Sequence, residues 1–235
     1  MEDSRIFLKV LLEFSEQDDI AVNELQTKVR MPKEEVMKVL SSLKDKGVIN
    51  GIDGGIVHLN MDRIRLSLLA IENGVDIETA TRHLSWRDFE KFIGSSLRME
   101  GFKVLDNFYF TSKGDRHQID ILGIRKPLIL SIDCKHWRFK SLPSKVLAAA
   151  KAHIERTVAL ADYAVRRGEI KGSPLSHGKY YVLPVIVLLM EPYIPRIASE
   201  VPIVSVLKFK DFLRNVPPIP GFEPLKYIPI TVNKF

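Results

Sequence analysis

Two apolar runs joined by a very short connection constrain this chain more than any other feature. Gln118-Ile119-Asp120-Ile121-Leu122-Gly123-Ile124 and Leu128-Ile129-Leu130-Ser131-Ile132-Asp133-Cys134-Lys135 read as two buried strands. Arg125-Lys126-Pro127 between them leaves room only for a tight antiparallel turn. Each strand spends one position on Asp, and the second ends Asp-x-Lys. A carboxylate in an aliphatic strand is costly unless it is paired or put to use. Side chains alternate along a strand, so Asp133 and Lys135 share one face while Ile132 and Cys134 share the other. Two carboxylates and an ammonium at one sheet edge can bind a hard divalent cation and position a water, which is what phosphodiester hydrolysis requires. The plainer alternative is a structural ion pair at a strand end.

Around these strands the pattern from residue 85 reads helix, strand, strand, strand, helix, strand. Ser85 caps a helix from Trp86 to Glu100, with Asp88 three residues on. Phe102 to Phe110 is the first strand, and Thr111 to His117 a polar loop. Pro143 or Ser144 opens an Ala-rich helix that reaches Gly168. Lys179 to Met190 is a buried strand, Val201 to Leu207 another, and Lys208 to Asn215 a short helix; the Pro-rich tail from Val216 is irregular. In the first of these helices Trp86, Phe89, Ile93 and Leu97 form an apolar stripe that contains Glu90. Glu90 either meets a metal site on the adjacent sheet or lies at the stripe's border and reaches solvent or an Arg.

The segment before residue 85 is separate in character. Residues 1–84 hold 11 Lys+Arg against 15 Asp+Glu, and residues 85–235 hold 24 against 14. The basic part is the one with the carboxylate strands, which suggests a polyanionic partner; a solvated basic surface is the bland alternative. A first helix carries Ile6, Leu8, Val10, Leu11, Leu12 and Phe14, a second begins at Ile20, and a third opens at Met31-Pro32 and stops at Gly47. Two short strands around Gly51-Ile52-Asp53-Gly54-Gly55 follow. This set resembles a winged helix over residues 1–60, with 32–46 in the place of the recognition helix. Residues 61–84 read as a helical linker and 85–235 as the second domain.

Several classes are excluded. One cysteine, Cys134, rules out an intrachain disulfide framework or a cysteine-rich zinc site and fits a reducing cytoplasm. No GxxxxGK[ST] or Gly-x-Ser-x-Gly is present, and His136, His153 and His177 lack metal-ligand spacing. The acidic start, Met1 to Arg5, lacks a long apolar run, and the stretch Tyr180 to Met190 is too short for a membrane span.

The residues Glu90, Gly101-Phe102-Lys103-Val104, Gly114-Asp115, Ile119-Asp120 and Asp133-Cys134-Lys135 resemble, in order and spacing, the PD-(D/E)xK nuclease superfamily. Within it they are most similar to the Mrr-type restriction endonucleases and the archaeal Holliday junction resolvases. The resemblance covers roughly residues 85–190. It implies an α/β restriction-endonuclease-like core, a mixed sheet flanked by helices in the order αβββαβ. It also implies Mg2+, with Mn2+ able to substitute, and hydrolysis of DNA by in-line attack of water to leave a 5′-phosphate. By resemblance Asp120 and Asp133 are direct metal ligands and the Cys134 carbonyl is a third contact. Lys135 orients the attacking water, and Glu90 reaches the metal through water or binds a second ion. Two departures are present: Ile119 replaces the usual Pro before the first acid, and the half-motif acid is Asp rather than Glu or Gln. A homodimer is implied too.

For the DNA itself, Lys113, Arg116 and His117 in the polar loop are candidate phosphate contacts, and Asp115 there more readily shapes the turn than binds metal. His136, Arg138 and Lys140, interleaved with Trp137 and Phe139, are candidates for clamping backbone or an unpaired base. Lys145, Lys151 and Arg156 on the long helix face either DNA or solvent. Cys134 is a buried small residue rather than a nucleophile. The competing reading of the whole chain is a non-catalytic DNA-binding or regulatory protein, with a nuclease-like domain kept for dimerisation.

Overall fold

The computed structural model describes residues 2–15, 17–59, 63–81, 83–135, 143–173, 175–189, 197–221 and 224–232. The chain divides into two compact units, Met1–Asp88 and Phe89–Phe235. Among the described residues, no helix is long and apolar enough to cross a membrane.

The first unit runs α1 (Glu2–Glu13), β1 (Asp19–Ala21), α2 (Val22–Val29), α3 (Lys33–Asp45), β2 (Gly51–Asp53), β3 (Ile56–His58), α4 (Arg63–Glu72) and α5 (Ile77–Thr81). Its strands form an antiparallel sheet in the order β1-β3-β2. Phe7, Leu11, Leu25, Val36, Leu40, Leu43 and Val57 fill one core against which the helices close. Gly54 and Gly55 both have positive φ, which suits the two-residue turn between β2 and β3 and draws Gly51–Asp53 into a strand rather than leaving it as turn. Ile20 and Ala21, expected to begin the second helix, instead lie in β1 and pair with β3, because Ile20 buries its side chain there while its neighbours face outward; the helix starts at Val22. Ile6 lies 41% exposed, off the apolar face of α1 that Phe7 and Leu11 define.

The second unit follows the expected order. It runs α6 (Trp86–Met99, which begins just before the division), β4 (Lys103–Ser112), β5 (Asp115–Arg125), β6 (Leu128–Lys135), α7 (Pro143–Arg167), β7 (Gly178–Leu188), β8 (Ile197–Ala198), β9 (Val201–Ser205), α8 (Phe209–Asn215) and β10 (Ile228–Val232). This is a mixed α/β fold, compatible with the restriction-endonuclease-like order that the resemblance implies. The main sheet is ordered β4-β5-β6-β7-β9-β8. β4, β5 and β6 are antiparallel neighbours, while β6, β7 and β9 run parallel. The central strands β6 and β7 are buried along almost their whole length, which is why they read as unbroken apolar runs.

Two sequence expectations change here. The polar loop Thr111–His117 is a hairpin, with Ser112 opposite Asp115 and only Lys113-Gly114 at the turn, both with positive φ. The tail is not wholly irregular: Ile228–Val232 pairs antiparallel with the first half of β7 and puts Ile230 and Val232 into the core.

The α7 helix lies against the sheet through Val146, Ala150, His153, Thr157, Leu160 and Ala164, a stripe of alternating four- and three-residue steps. On α6 the stripe is Phe89, Ile93 and Leu97, all fully buried, whereas Trp86 in the first turn is 41% exposed. Gly123 permits close approach of α6 to β5: a Cβ there would stand 2.9 Å from Leu97 Cδ2.

Candidate active site

The site forms where β5 parts from its neighbours. Asp120 is missing from both ladders of β5. Toward β4, pairing skips from Asp106↔Ile121 to Phe108↔Ile119, and toward β6 it ends at Ile121↔Ile132. The residue facing Asp120 across the β4 gap is Asn107, whose φ of 51° is left-handed. Asn tolerates that conformation better than other side chains except Gly, and it breaks the pleat. The consequence is visible in the packing. Leu105 and Phe108 on one strand, and Leu122 and Ile119 on the other, join the same core cluster, although a regular pleat would send them to opposite faces.

Freed from the ladder, Asp120 turns its carboxylate toward β6, where Oδ2 accepts the backbone N–H of Cys134 at 2.8 Å. In an extended strand the N–H and C=O of one residue point to the same edge, so the Cys134 carbonyl is directed to the Asp120 side. Cys134's thiol lies on the other face, fully buried, and burial pushes its pKa well up.

Asp133 precedes Cys134 on β6, and only 5% of its side chain is exposed. Lys135 Nζ lies 2.8 Å from Oδ2, as strand alternation requires of residues two apart. That ammonium is not aligned as a hydrogen-bond donor, and Oδ2 has no hydrogen-bond partner. Oδ1 accepts from Arg156 Nη2 at 2.8 Å. Arg156, read from sequence as facing DNA or solvent, is thus directed to the half-motif acid. Its side chain stands one turn from His153, which bonds the Ser131 carbonyl at 2.7 Å through Nε2. Because a carbonyl can only accept, Nε2 carries the proton. Thr157 Oγ1 donates to the His153 carbonyl at 2.8 Å and lies in hydrogen-bond contact with Ser131 Oγ at 3.0 Å. Burial holds the His153 imidazole down near about 4, so it is neutral at ordinary pH.

Electrostatics tie Glu90 to this cluster. The pKa of Asp120 is raised to about 6, first by burial and then by the neighbouring carboxylates of Asp133 and Glu90; the Cys134 N–H and Lys135 act the other way. Glu90 itself is half-buried on α6. Among the described residues no three His, Cys, Asp or Glu side chains gather closely enough to ligate one ion. The two carboxylates, which repel each other, are of the donor type a small hard cation takes, with Asp133 Oδ2 ion-paired to Lys135 at 2.8 Å.

Residues 81–165 match the family model described as restriction endonuclease, Mrr catalytic type. This segment is an Mrr-type restriction endonuclease domain. It spans α6 to nearly the end of α7 and so contains every residue of the cluster described above. The match suggests nuclease chemistry for this segment. Among curated proteins, none matches the chain. Three solved structures match at low identity and low TM-score. They are a protein of unknown function, AF1548 (14% identity, TM-score 0.32, 46% of this chain); protein VC1899 from Vibrio cholerae (12%, 0.38, 90%); and Can2 from Sulfobacillus thermosulfidooxidans in complex with cyclic tetra-adenylate (10%, 0.30, 88%). The chain spans about half the length of each, at 49%, 48% and 49%.

The remaining candidates are dispersed around the Mrr-type domain. Lys113 stands at the tip of the β4–β5 hairpin and pairs with Asp162 at 3.3 Å. His117 stacks on Phe110, with ring centroids 5.2 Å apart, and Arg116 is exposed beside it. Along the strand Lys113 lies roughly 23 Å, Arg116 roughly 13 Å and His117 roughly 10 Å from Asp120, and none is in the hydrogen-bond or ion-pair set of the carboxylate cluster. Lys145 is exposed in the first turn of α7. His136, Arg138 and Lys140, with Trp137 and Phe139, lie outside the described residues. Sequence reasoning did not single out Asn107. Arg156 it left undecided, although its spacing three residues after His153 on α7 was a usable signal.

Proposed function

We propose that this chain is a Mg2+-dependent DNA endonuclease of the PD-(D/E)xK type. The observation that supports this best is Asp120, Asp133 and Lys135 converging where β5 leaves its ladders, within the segment that matches an Mrr-type domain. Asp120, Asp133 and the Cys134 carbonyl would hold the ion, with Glu90 contributing from α6. When bound, Mg2+ would supply charge neutralisation at the phosphate and acidify a water.

The protein's own groups do the rest. Lys135, held beside Asp133, presents an ammonium to the attacking water and to charge developing on phosphorus. Cys134 N–H fixes the Asp120 carboxylate, so its orientation is set before substrate arrives. The basic excess of residues 85–235 favours a polyanion. The first unit, ordered α1-β1-α2-α3-β2-β3, is proposed as a winged helix that binds DNA or protein, and the active assembly as a homodimer with one site per strand.

The test is cleavage of supercoiled, linear, single-stranded and branched DNA with Mg2+ or Mn2+. We expect Asp133→Ala and Lys135→Ala each to lose at least a hundredfold in rate, in line with removal of a transition-state charge contact. Wild-type rates in both variants would remove this site from the mechanism.

A further inference from the structure

We infer that α7 carries a self-complementary seam through which a second copy of this chain docks antiparallel. The inference deepens the homodimer reading above by naming its surface. It stands on observations outside the carboxylate cluster, and three carry it.

The first is spacing. One residue on from each member of the stripe that faces the sheet lie Leu147, Lys151, Ile154, Val158, Ala161 and Val165. One residue turns a helix by about 100°, so this second stripe flanks the buried one. Its steps of four and three residues are those of a coiled-coil seam, and they run about 27 Å along the helix.

The second is exposure. Leu147, Val158 and Val165 are 40%, 42% and 44% exposed. The C-terminal half of the stripe borders a groove of about 280 Å³, lined by Val158, Ala161 and Val165 from α7 and by Ile228, Pro229 and Ile230 from β10. Single apolar residues on a surface need no explanation, but a spaced row beside a largely apolar groove does.

The third is symmetry and charge. The steps read four, three, four, three, four from either end. Two copies laid head to tail therefore set Leu147 against the partner's Val165 and Ile154 against the partner's Val158, and each Leu147 enters the other copy's groove. Lys151, the polar member of the stripe, then meets the partner's Ala161 and, beside it, the partner's Asp162. That carboxylate pairs with Lys113 at 3.3 Å within its own chain, and at 43% exposure it is open to a second cation. Laid parallel, the same stripe would stack Lys151 on Lys151.

The seam also lies away from the carboxylate cluster. Arg156, which reaches Asp133, stands two residues before Val158 and so about 160° round the helix from it. Docking on the seam leaves that side of α7 free.

The test is sedimentation equilibrium on the full-length protein. Wild type forms a dimer with a micromolar Kd, as suits an interface at the small end of the range. Val158→Asp puts a charge in the seam and weakens association about tenfold or more. Lys151→Glu and Asp162→Lys each set like charges together twice per dimer, and each weakens it about threefold to tenfold. An equimolar mixture of those two variants restores wild-type affinity, because opposite charges then meet at both ends of the seam. Both substitutions sit at exposed positions, so the mixture keeps the experiment decisive if Val158→Asp does not fold. Variants that dimerise like wild type, or a mixture no tighter than its components, overturn the seam and leave the homodimer reading standing. A wild type that stays monomeric at about 100 µM overturns both. Neither result touches the nuclease reading, which the cleavage assay tests.

Discussion

Replacing Asp120 with Asn separates what this residue does for stability from what it does for a bound ion. The Asp120 carboxyl is raised from 3.8 to about 6, chiefly by burial, with Asp133 and Glu90 adding repulsion. The sign follows from linkage. An acid whose folded pKa lies above its unfolded value contributes stability that is complete below pH 3.8 and is lost as pH rises through about 6. Above that, the metal-free protein carries a charge it would rather not hold. A shift of this size is worth about 3 kcal/mol at most, less whatever solvent screening removes. Asn keeps the shape, still accepts the Cys134 N–H through Oδ1, and cannot ionise. Urea unfolding in a chelator at pH 8 should therefore show Asp120→Asn more stable than wild type by about 2–3 kcal/mol. At pH 4 the two should agree within about 0.5 kcal/mol. Added Mn2+ should raise wild-type stability and leave the variant unmoved. A variant that is less stable at pH 8, or whose advantage is larger at pH 4, would refute the account of a repelling, half-buried carboxylate.

Two other perturbations test the frame around the site. His153 is held near about 4 from an ordinary 6.5 by burial, a depressed base. Stability from this group is therefore present above pH 6.5 and lost as pH falls through about 4, by about 3 kcal/mol in total. His153→Gln should flatten that part of the unfolding-versus-pH curve, and an unchanged slope would contradict it. Asn107, with φ of 51°, should accept Gly within about 0.5 kcal/mol, whereas Asn107→Val should cost about 1–3 kcal/mol in unfolding and weaken Mn2+ binding by closing the ladder opposite Asp120. Equal behaviour of the Gly and Val variants would count against the kink.

What was legible in advance follows from local physics. Strand alternation put Asp133 and Lys135 on one face and buried Cys134 on the other, and the 2.8 Å pair realises it. The aliphatic runs around them could only be interior strands, and helical spacing gave α6 and α7 their buried faces. The β10 strand escaped notice because its five residues sit behind a Pro-rich stretch and carry a Pro of their own; it is a strand only because the edge of β7 is there to pair with it. Trp86 was placed in the stripe by angle alone, and it is 41% exposed while Phe89, Ile93 and Leu97 are buried.

The sequence by itself determined the chemistry available: which residues are acids, which is the lysine, and that they ride on buried strands, since side-chain type and a period of two are properties of the chain. Only the tertiary structure decided how they meet. Asn107 opens the sheet from the neighbouring strand, and Asp120 swings toward Cys134. Arg156, 23 residues later in the chain, reaches Asp133 from α7. Each of these depends on register between strands or on the docking of a helix. Those are set by the packing of the whole core, and no local pattern encodes them.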